Sequence, residues 1–279
     1  MRAAISRLDL IEPRSLRDAL RLLRDEQPIA PAAGCTDLFV SLNSGTLGAT
    51  RFLNLWSLAE LRRVQLHGNV LSIGALATFR QIIASPLVRT RLPILVAAAR
   101  EIGAVQIQNR GTLGGNIVNA SPAGDTLPVL AVAEATLLIG SVEGVRRVPF
   151  TSFYTGYRQT VMRPDELLLS IEVPPVEGRQ WFRKVGTRDA QAISKVVMAA
   201  IRAPAPRIAL GSVAPTVVRL PKTETVLASG GSIEDAQAVL QTEIHPIDDI
   251  RSTAAYRRRV SANLLAAFWR QTAHQEQHR

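Results

Sequence analysis

The sequence holds a single cysteine, Cys35, and only four histidines, His67, His245, His274 and His278, in 279 residues. One thiol excludes an intrachain disulfide framework. It also excludes any cysteine-ligated zinc or iron–sulfur site held by this chain alone, and it fits a reducing compartment. His274 and His278 have the i,i+4 spacing of a helical metal pair. They lie in a polar tail with no carboxylate at the metalloprotease position, and read as a solvated helix end or a frayed terminus. Long apolar runs are absent too: LPILVAAAREIGAV is broken by Arg100 and Glu101, short of the roughly 18 apolar residues of a membrane span. The first residues, MRAAISRLDLIEP, lack the unbroken apolar stretch and small-residue cleavage site of a secretory signal. A soluble, cytoplasmic protein is expected.

Aromatic residues are scarce, at 5%, and do not alternate with the basic ones, although the formal charge is +10. The arginines are dispersed, and the only dense block is Arg257–Arg258–Arg259. A single-strand nucleic-acid groove needs stacking platforms along a basic track, so the charge reads as a basic surface, with no nucleic-acid partner. There is no GxSxG elbow, no Cys–His pairing and no arguable carboxylate pair. Such a chain can carry electrons without performing bond chemistry itself.

What is present is the makings of a globular α+β protein. At 47% hydrophobic residues, a chain of this length buries roughly 70–75% of its unfolded surface and needs no staple. Residues 15–25 predict a helix capped by Ser15, with Asp18 in its first turn and Leu16, Leu20 and Leu23 on one face. PIAPAAGCTDLFVSL reads as strand, small-residue turn, then an apolar helical segment. FLNLWSL reads as another short strand leading to a helical turn. VQLHGNVLSIGAL predicts a hairpin turning at Gly68–Asn69. TFRQIIASPLVRTRLPILVAAAREIG is helical, interrupted at Pro86 and Pro93. Residues 106–140 carry the densest glycine cluster. Beyond a Pro/Gly boundary near Pro174–Gly178, QWFRKVGTRDAQAISKVVMAAIRA, PRIALGSVAPTVVRL and the helical IEDAQAVL and YRRRVSANLLAAFW read as a separate α+β domain.

Two glycine-bearing loops stand out. In Ala32-Ala33-Gly34-Cys35-Thr36-Asp37 small residues let backbone N–H groups approach an anion, with a following helix or turn N-terminus to favour it. Gly111-Thr112-Leu113-Gly114-Gly115-Asn116 offers the same chemistry plus a hydroxyl and an amide, so that together the two can clamp a pyrophosphate. Either loop alone is equally a tight turn, and neither matches GxGxxG or GxxxxGK[ST]. Asp125, behind the Pro122 turn, is either a cap or turn residue or, if it faces a cofactor, an acceptor for hydroxyls. Lys184 is either a solvated edge-strand lysine or a positive charge for an anionic cofactor.

In order, AGCTDL (33–38), QIQNRGTLGGNIVNASPAGDTLPVL (106–130), PDELLLSIEVP (164–174), FRKVGTRDAQAISKV (182–196), APTVVRLPKTETVL (214–227) and DDIRSTAAYRRR (248–259) carry a resemblance over nearly the whole chain. The chain resembles the FAD-binding subunit of molybdenum hydroxylases, the family of carbon monoxide dehydrogenase medium subunits and the flavin part of xanthine dehydrogenases. The resemblance implies an α+β protein with a two-subdomain FAD-binding fold of the vanillyl-alcohol-oxidase-like type. That part would span 1–175, with subdomains of about 1–60 and 61–175. A C-terminal α+β domain, a small antiparallel sheet with helices, would span 176–279. Pro31, Ala32, Ala33, Gly34, Cys35, Thr36, Asp37 and Leu38, with Thr112, Gly114, Gly115 and Asn116, would hold the pyrophosphate and ribityl chain. Asp125 would bind ribityl hydroxyls, with Ser121 in the same stretch among the cofactor-binding residues. Ile102 and Leu168 match positions lining the flavin and adenine environment, and Lys184 matches a lysine that approaches the cofactor.

The resemblance also implies noncovalent FAD, since no histidine lies in either loop. Molybdopterin and 2Fe–2S clusters would sit only on partners, an iron–sulfur small subunit and a molybdenum large subunit, in a dimer of heterotrimers. Electrons would leave to NAD, a quinone or oxygen. Many relatives carry a second glycine where Cys35 stands, and a positive φ there would strain a non-glycine residue. Cys35 reads as a small buried filler, with a reactive thiol as the other reading. The alternatives from other classes are a stand-alone flavin oxidoreductase with its own substrate pocket and a scaffold subunit whose loops no longer hold FAD.

Overall fold

The computed structural model describes residues 8–188 and 191–273. The His274 and His278 pair lies outside the described residues. Three main sheets and one two-stranded hairpin make up the β structure of the described residues.

The first is all parallel. β1 (Asp9–Ile11), β2 (Ala30–Ala32) and β3 (Arg51–Asn54) pair in the order β1-β3-β2, with α1 (Leu16–Asp25) and α2 (Leu38–Asn43) on the crossovers. Helix α1 starts where the sequence says: the Ser15 hydroxyl accepts from Asp18 N at 3.1 Å, and Ala19, Leu20 and Leu23 face the core.

The second sheet runs β4-β5-β10-β6-β7. Its strands are β4 (Val64–His67), β5 (Val70–Gly74), β6 (Thr136–Ser141), β7 (Gly144–Pro149) and β10 (Leu167–Val173), paired antiparallel. A small hairpin of β8 (Tyr154–Gly156) and β9 (Gln159–Thr160) stands apart. The β4–β5 turn places Gly68 at φ +58, as a Gly-Asn turn requires. Pro86 and Pro93 each open a new helix: α3 (Phe79–Ala84), α4 (Pro86–Arg91) and α5 (Pro93–Arg100) follow in steps. The glycine-rich stretch, which has no clear helical period, nonetheless forms α6 (Val105–Arg110), α7 (Leu113–Val118) and α8 (Leu127–Val132). All six residues of α8 are buried, so its stability comes from packing and not from an amphipathic face.

The third sheet, β11 (Arg179–Val185), β12 (Val196–Arg202), β13 (Arg207–Gly211) and β14 (Val218–Arg219), is antiparallel in chain order, with α9 (Pro221–Ala228), α10 (Ile233–Glu243) and α11 (Ala254–Ala273) on one face. Strand β12 explains the joint between the units. Ala199 and Ile201 enter the main core, while Val196, Met198 and Ala200 enter the helix-covered one. Both faces are buried, so VVMAAIR reads as a continuous apolar run, not an alternation. In the Arg257–Arg259 block, Arg257 is buried, donating to Ser212 O at 2.9 Å and Asp249 Oδ1 at 2.7 Å, and Arg258 donates to Gln241 O at 2.8 Å. Two of the three are bonded within the chain. No helix among the described residues is long and apolar enough to cross a membrane.

Candidate functional site

The first loop leaves the C-terminal end of β2. Parallel strands end here with their chains turning outward, the usual place for a ligand in such a sheet. Cys35 sits at φ +62, so a non-glycine residue occupies the left-handed region, as the sequence comparison with a glycine-bearing loop anticipates. Its half-buried thiol donates to Ala33 O at 3.4 Å, and burial raises the thiol pKa while the charge of Arg110 opposes that rise. Among the described residues no backbone N–H from Gly34 to Leu38 donates to another atom of the chain. Pro31 and Asp37 are exposed, Ala32 and Gly34 are buried, and Ala33, Thr36 and Leu38 lie between. The loop therefore presents a run of unspent donors.

The second loop abuts it, backbone to backbone. A Cβ on Gly34 would lie 1.8 Å from the Arg110 carbonyl oxygen, so only glycine allows the two loops to touch. The second loop is spent differently from the first. Leu113 N donates to Ala77 O at 3.0 Å, Gly114 N to Ala75 O at 2.8 Å, Gly115 N to Thr112 Oγ1 at 3.0 Å and Asn116 N to Thr112 O at 3.0 Å. The Thr112 hydroxyl is the N-cap of α7, and Asn116 Oδ1 accepts from Thr126 Oγ1 at 2.6 Å. Sequence reasoning gives both loops equal donor roles. In the structure the first supplies the free N–H groups and the second is the wall that positions them. Helices α2 and α7 have six residues each, so the donors themselves, and not a long helix dipole, make the anion site.

Ala75, which no sequence signal marks, ties the wall to the sheet. Its N–H donates to Leu169 O at 2.9 Å, and a Cβ on Gly114 would lie 2.6 Å from its carbonyl oxygen. Leu168, beside that contact, is a buried core residue paired with Ile139. Tyr154 supports α7 from below, its hydroxyl donating to Ile117 O at 3.0 Å.

The 119–125 turn is organised by Ser121, whose Oγ accepts from Ala123 N at 3.3 Å and whose carbonyl accepts from Gly124 N at 3.0 Å. Asp125 follows but caps no helix. Its Oδ2 meets Lys184 Nζ at 2.7 Å, while Oδ1 is buried with no hydrogen-bond partner among the described residues. Burial, only partly opposed by Lys184 and by the nearby Ser194 hydroxyl, pushes the Asp125 carboxyl up to about 6. Lys184 is on edge strand β11 yet only 5% exposed, so the solvated-lysine reading fails, and it also donates to the Glu101 carbonyl at 3.1 Å. That carbonyl precedes Ile102, which packs half-buried against the main core. The Glu101 carbonyl is a backbone group and left no sequence trace. A cavity of about 680 Å³ opens beside Lys184, lined in part by Ala97, Glu101, Phe182 and Gly186.

An orphaned buried carboxylate oxygen costs about 1–3 kcal/mol unless a ligand donates to it. Free loop amides for a pyrophosphate, glycines that admit close backbone approach and this oxygen for a hydroxyl fit a flavin dinucleotide.

Comparison with known proteins agrees. Residues 6–176 match the family model of the FAD-binding domain in molybdopterin dehydrogenase, and 181–272 match that of the CO dehydrogenase flavoprotein C-terminal domain. The chain is 35% identical to the putative xanthine dehydrogenase FAD-binding subunit XdhB of Escherichia coli over 221 residues, covering 75% of each. It is 30% identical to the glyceraldehyde dehydrogenase medium chain of Sulfolobus acidocaldarius over 273 residues, 94% of this chain and 97% of the relative. A solved carbon monoxide dehydrogenase chain from Hydrogenophaga pseudoflava superposes with a TM-score of 0.89 at 25% identity, covering 96% of this chain and 99% of that one. With one family model spanning most of the chain and the loop geometry behind it, this protein belongs to the FAD-binding flavoprotein family of the molybdopterin dehydrogenases.

Proposed function

We propose that this chain is the FAD-carrying electron-transfer subunit of a multi-subunit molybdenum hydroxylase of the xanthine, aldehyde or carbon monoxide dehydrogenase type. The observation that carries the reading is the backbone junction of the two glycine loops with its unspent amides, joined by the unpartnered Asp125 oxygen of the following turn. When bound, FAD supplies the acceptor that takes electrons from iron–sulfur clusters on a partner and passes them on. The chain's own residues hold it. The N–H groups of Gly34 to Leu38 face the pyrophosphate, and the wall formed by Thr112, Gly114, Gly115 and Asn116 fixes their position. Asp125 Oδ1 accepts from a ribityl hydroxyl in the turn set by Ser121. Lys184 keeps the Asp125 carboxylate charged and places a cation beside the cofactor cavity. Ile102 and Leu168 close the apolar sides.

With one cysteine, the chain depends on an iron–sulfur small subunit and a molybdopterin-bearing large subunit, in a dimer of heterotrimers in the cytoplasm. The external acceptor is NAD or a quinone. Residues 1–175 form the FAD-binding part, with subdomains meeting near residue 60, and residues 176–279 form the C-terminal domain. The test is purification of the chain from its native source with its partners. The expected preparation has a flavin absorbance near one FAD per chain, FAD released by heat or acid, and co-purifying iron and molybdenum. A folded chain that is colourless and takes up no added FAD would refute the reading.

A further inference from the structure

Arg110 ends α6 at the point where the second loop meets Gly34. Its guanidinium carbon lies 3.8 Å from the centroid of the Trp56 ring, and that of Arg62 lies 4.4 Å from the same ring. Trp56 follows β3, whose continuation runs beside the first loop, since Leu55 N donates to Ala32 O at 2.8 Å. The Trp56 backbone is itself held: its N–H donates to Asn54 Oδ1 at 3.0 Å, and Arg62 donates to its carbonyl. Neither arginine forms an ion pair among the described residues, and the Arg110 guanidinium donates no hydrogen bond there. Two like charges on one ring repel; burial, then the charge of Arg110, lowers the Arg62 pKa. An anion between them and the first loop would relieve that repulsion.

The charge balance of the cofactor site asks for such a cation. The first loop offers neutral amides, the second loop's amides at Gly111 and from Leu113 to Asn116 are bonded within the chain, and neither loop carries a lysine or arginine in its own glycine core. A guanidinium held over an indole ring, with no hydrogen bond to the described residues, keeps its planar N–H fork available to meet two phosphate oxygens at once.

We propose that Arg110 is a cofactor-binding residue that grips the pyrophosphate of the dinucleotide, and that Trp56 is the positioning residue that holds its guanidinium in place. The inference rests on the FAD reading above and extends it to two residues outside both glycine loops. Arg62, anchored on the Trp56 carbonyl, completes the support and adds a second positive charge.

The test is titration of the full-length apo-chain with FAD, followed by flavin fluorescence, with ADP as competitor. In Arg110→Gln the affinities for FAD and for ADP fall roughly ten- to hundredfold, the value of one charge-assisted bond, and the salt dependence of FAD binding becomes shallower. Its melting temperature without FAD stays at the wild-type value, because the side chain is exposed. Arg110→Lys keeps the charge but loses the fork, and falls between the two. Trp56→Leu weakens FAD binding, and Trp56→Phe, which restores a flat ring, recovers most of it. Trp56→Leu and Trp56→Phe binding alike would remove the stacking role. A folded Arg110→Gln chain that binds FAD and ADP within twofold of wild type would overturn the proposal while leaving the flavoprotein reading intact. If Arg110→Gln does not fold, wild-type affinity in Arg110→Lys and Trp56→Leu together would overturn it. A wild-type chain that takes up no FAD would end both readings.

Discussion

The contact between the two loops makes Gly34→Ala the sharpest perturbation available. Gly34 has no positive φ to blame, so the substitution tests space alone. The new methyl carbon would stand 1.8 Å from the Arg110 carbonyl oxygen, 2.6 Å from its carbon and 3.2 Å from Gly111 N. All three are backbone atoms, so no side chain can swing aside. Ordinary contact begins near 3.4 Å, and the loops must separate by about 1.6 Å. Overpacking of this kind costs about 1–3 kcal/mol of stability. The larger effect falls on the cofactor. Moving the first loop's amides off the pyrophosphate forfeits at least one charge-assisted bond, about 1.5–3 kcal/mol, or roughly ten- to hundredfold in Kd. The assay pairs an FAD titration with thermal melting of the apo-chain. Gly48→Ala, where a Cβ meets nothing within 4 Å, is the control and should change neither quantity. A Gly34→Ala chain that binds FAD within twofold of wild type and melts at the same temperature would refute the argument that the loops are in backbone contact.

Three further outcomes follow from neighbouring residues. Cys35→Gly removes a left-handed strain of about 1–2 kcal/mol against a glycine entropy cost of about 0.5–1 kcal/mol. It should raise the melting temperature by about 1–3 °C, opposite in sign to its neighbour, and a fall would show that thiol packing outweighs the strain. Lys184→Met leaves a buried carboxylate with no cation and should cost about 3–5 kcal/mol in a denaturant titration, partly recovered by adding Asp125→Asn; an unchanged midpoint would mean the pair is solvated. FAD affinity should be full above pH 6 and fall by up to tenfold per unit below it. Hydroxyls donating to Asp125 favour its charged form, so the bound state has the lower pKa than the apo value of about 6. The apo fold responds in reverse, since its raised carboxyl pKa contributes stability at low pH that is lost as pH rises through about 6. Asp125→Asn should flatten both profiles, and a pH-independent wild-type affinity would remove Asp125 from the site.

The sequence by itself determined the local elements and the family. Ser15 with Asp18, the Gly68–Asn69 turn and the prolines at 86 and 93 act within a few residues, so each carries its own signal. Short-range chemistry also marked the two glycine loops, because glycine is required wherever a backbone must come close. Tertiary structure alone decided what those loops do. That β10 inserts between β5 and β6, that Ala75 bonds the second loop, and that α8 is buried on every side are long-range facts with no local period to betray them. The same holds for Lys184, which reads as an exposed edge residue along the chain and becomes the buried partner of Asp125 only when the third sheet folds against α5. Donor spending is likewise a property of the fold. Both loops carry the same amides in sequence, but only packing determines that most of one set is bonded within the chain and the other is left unbonded among the described residues.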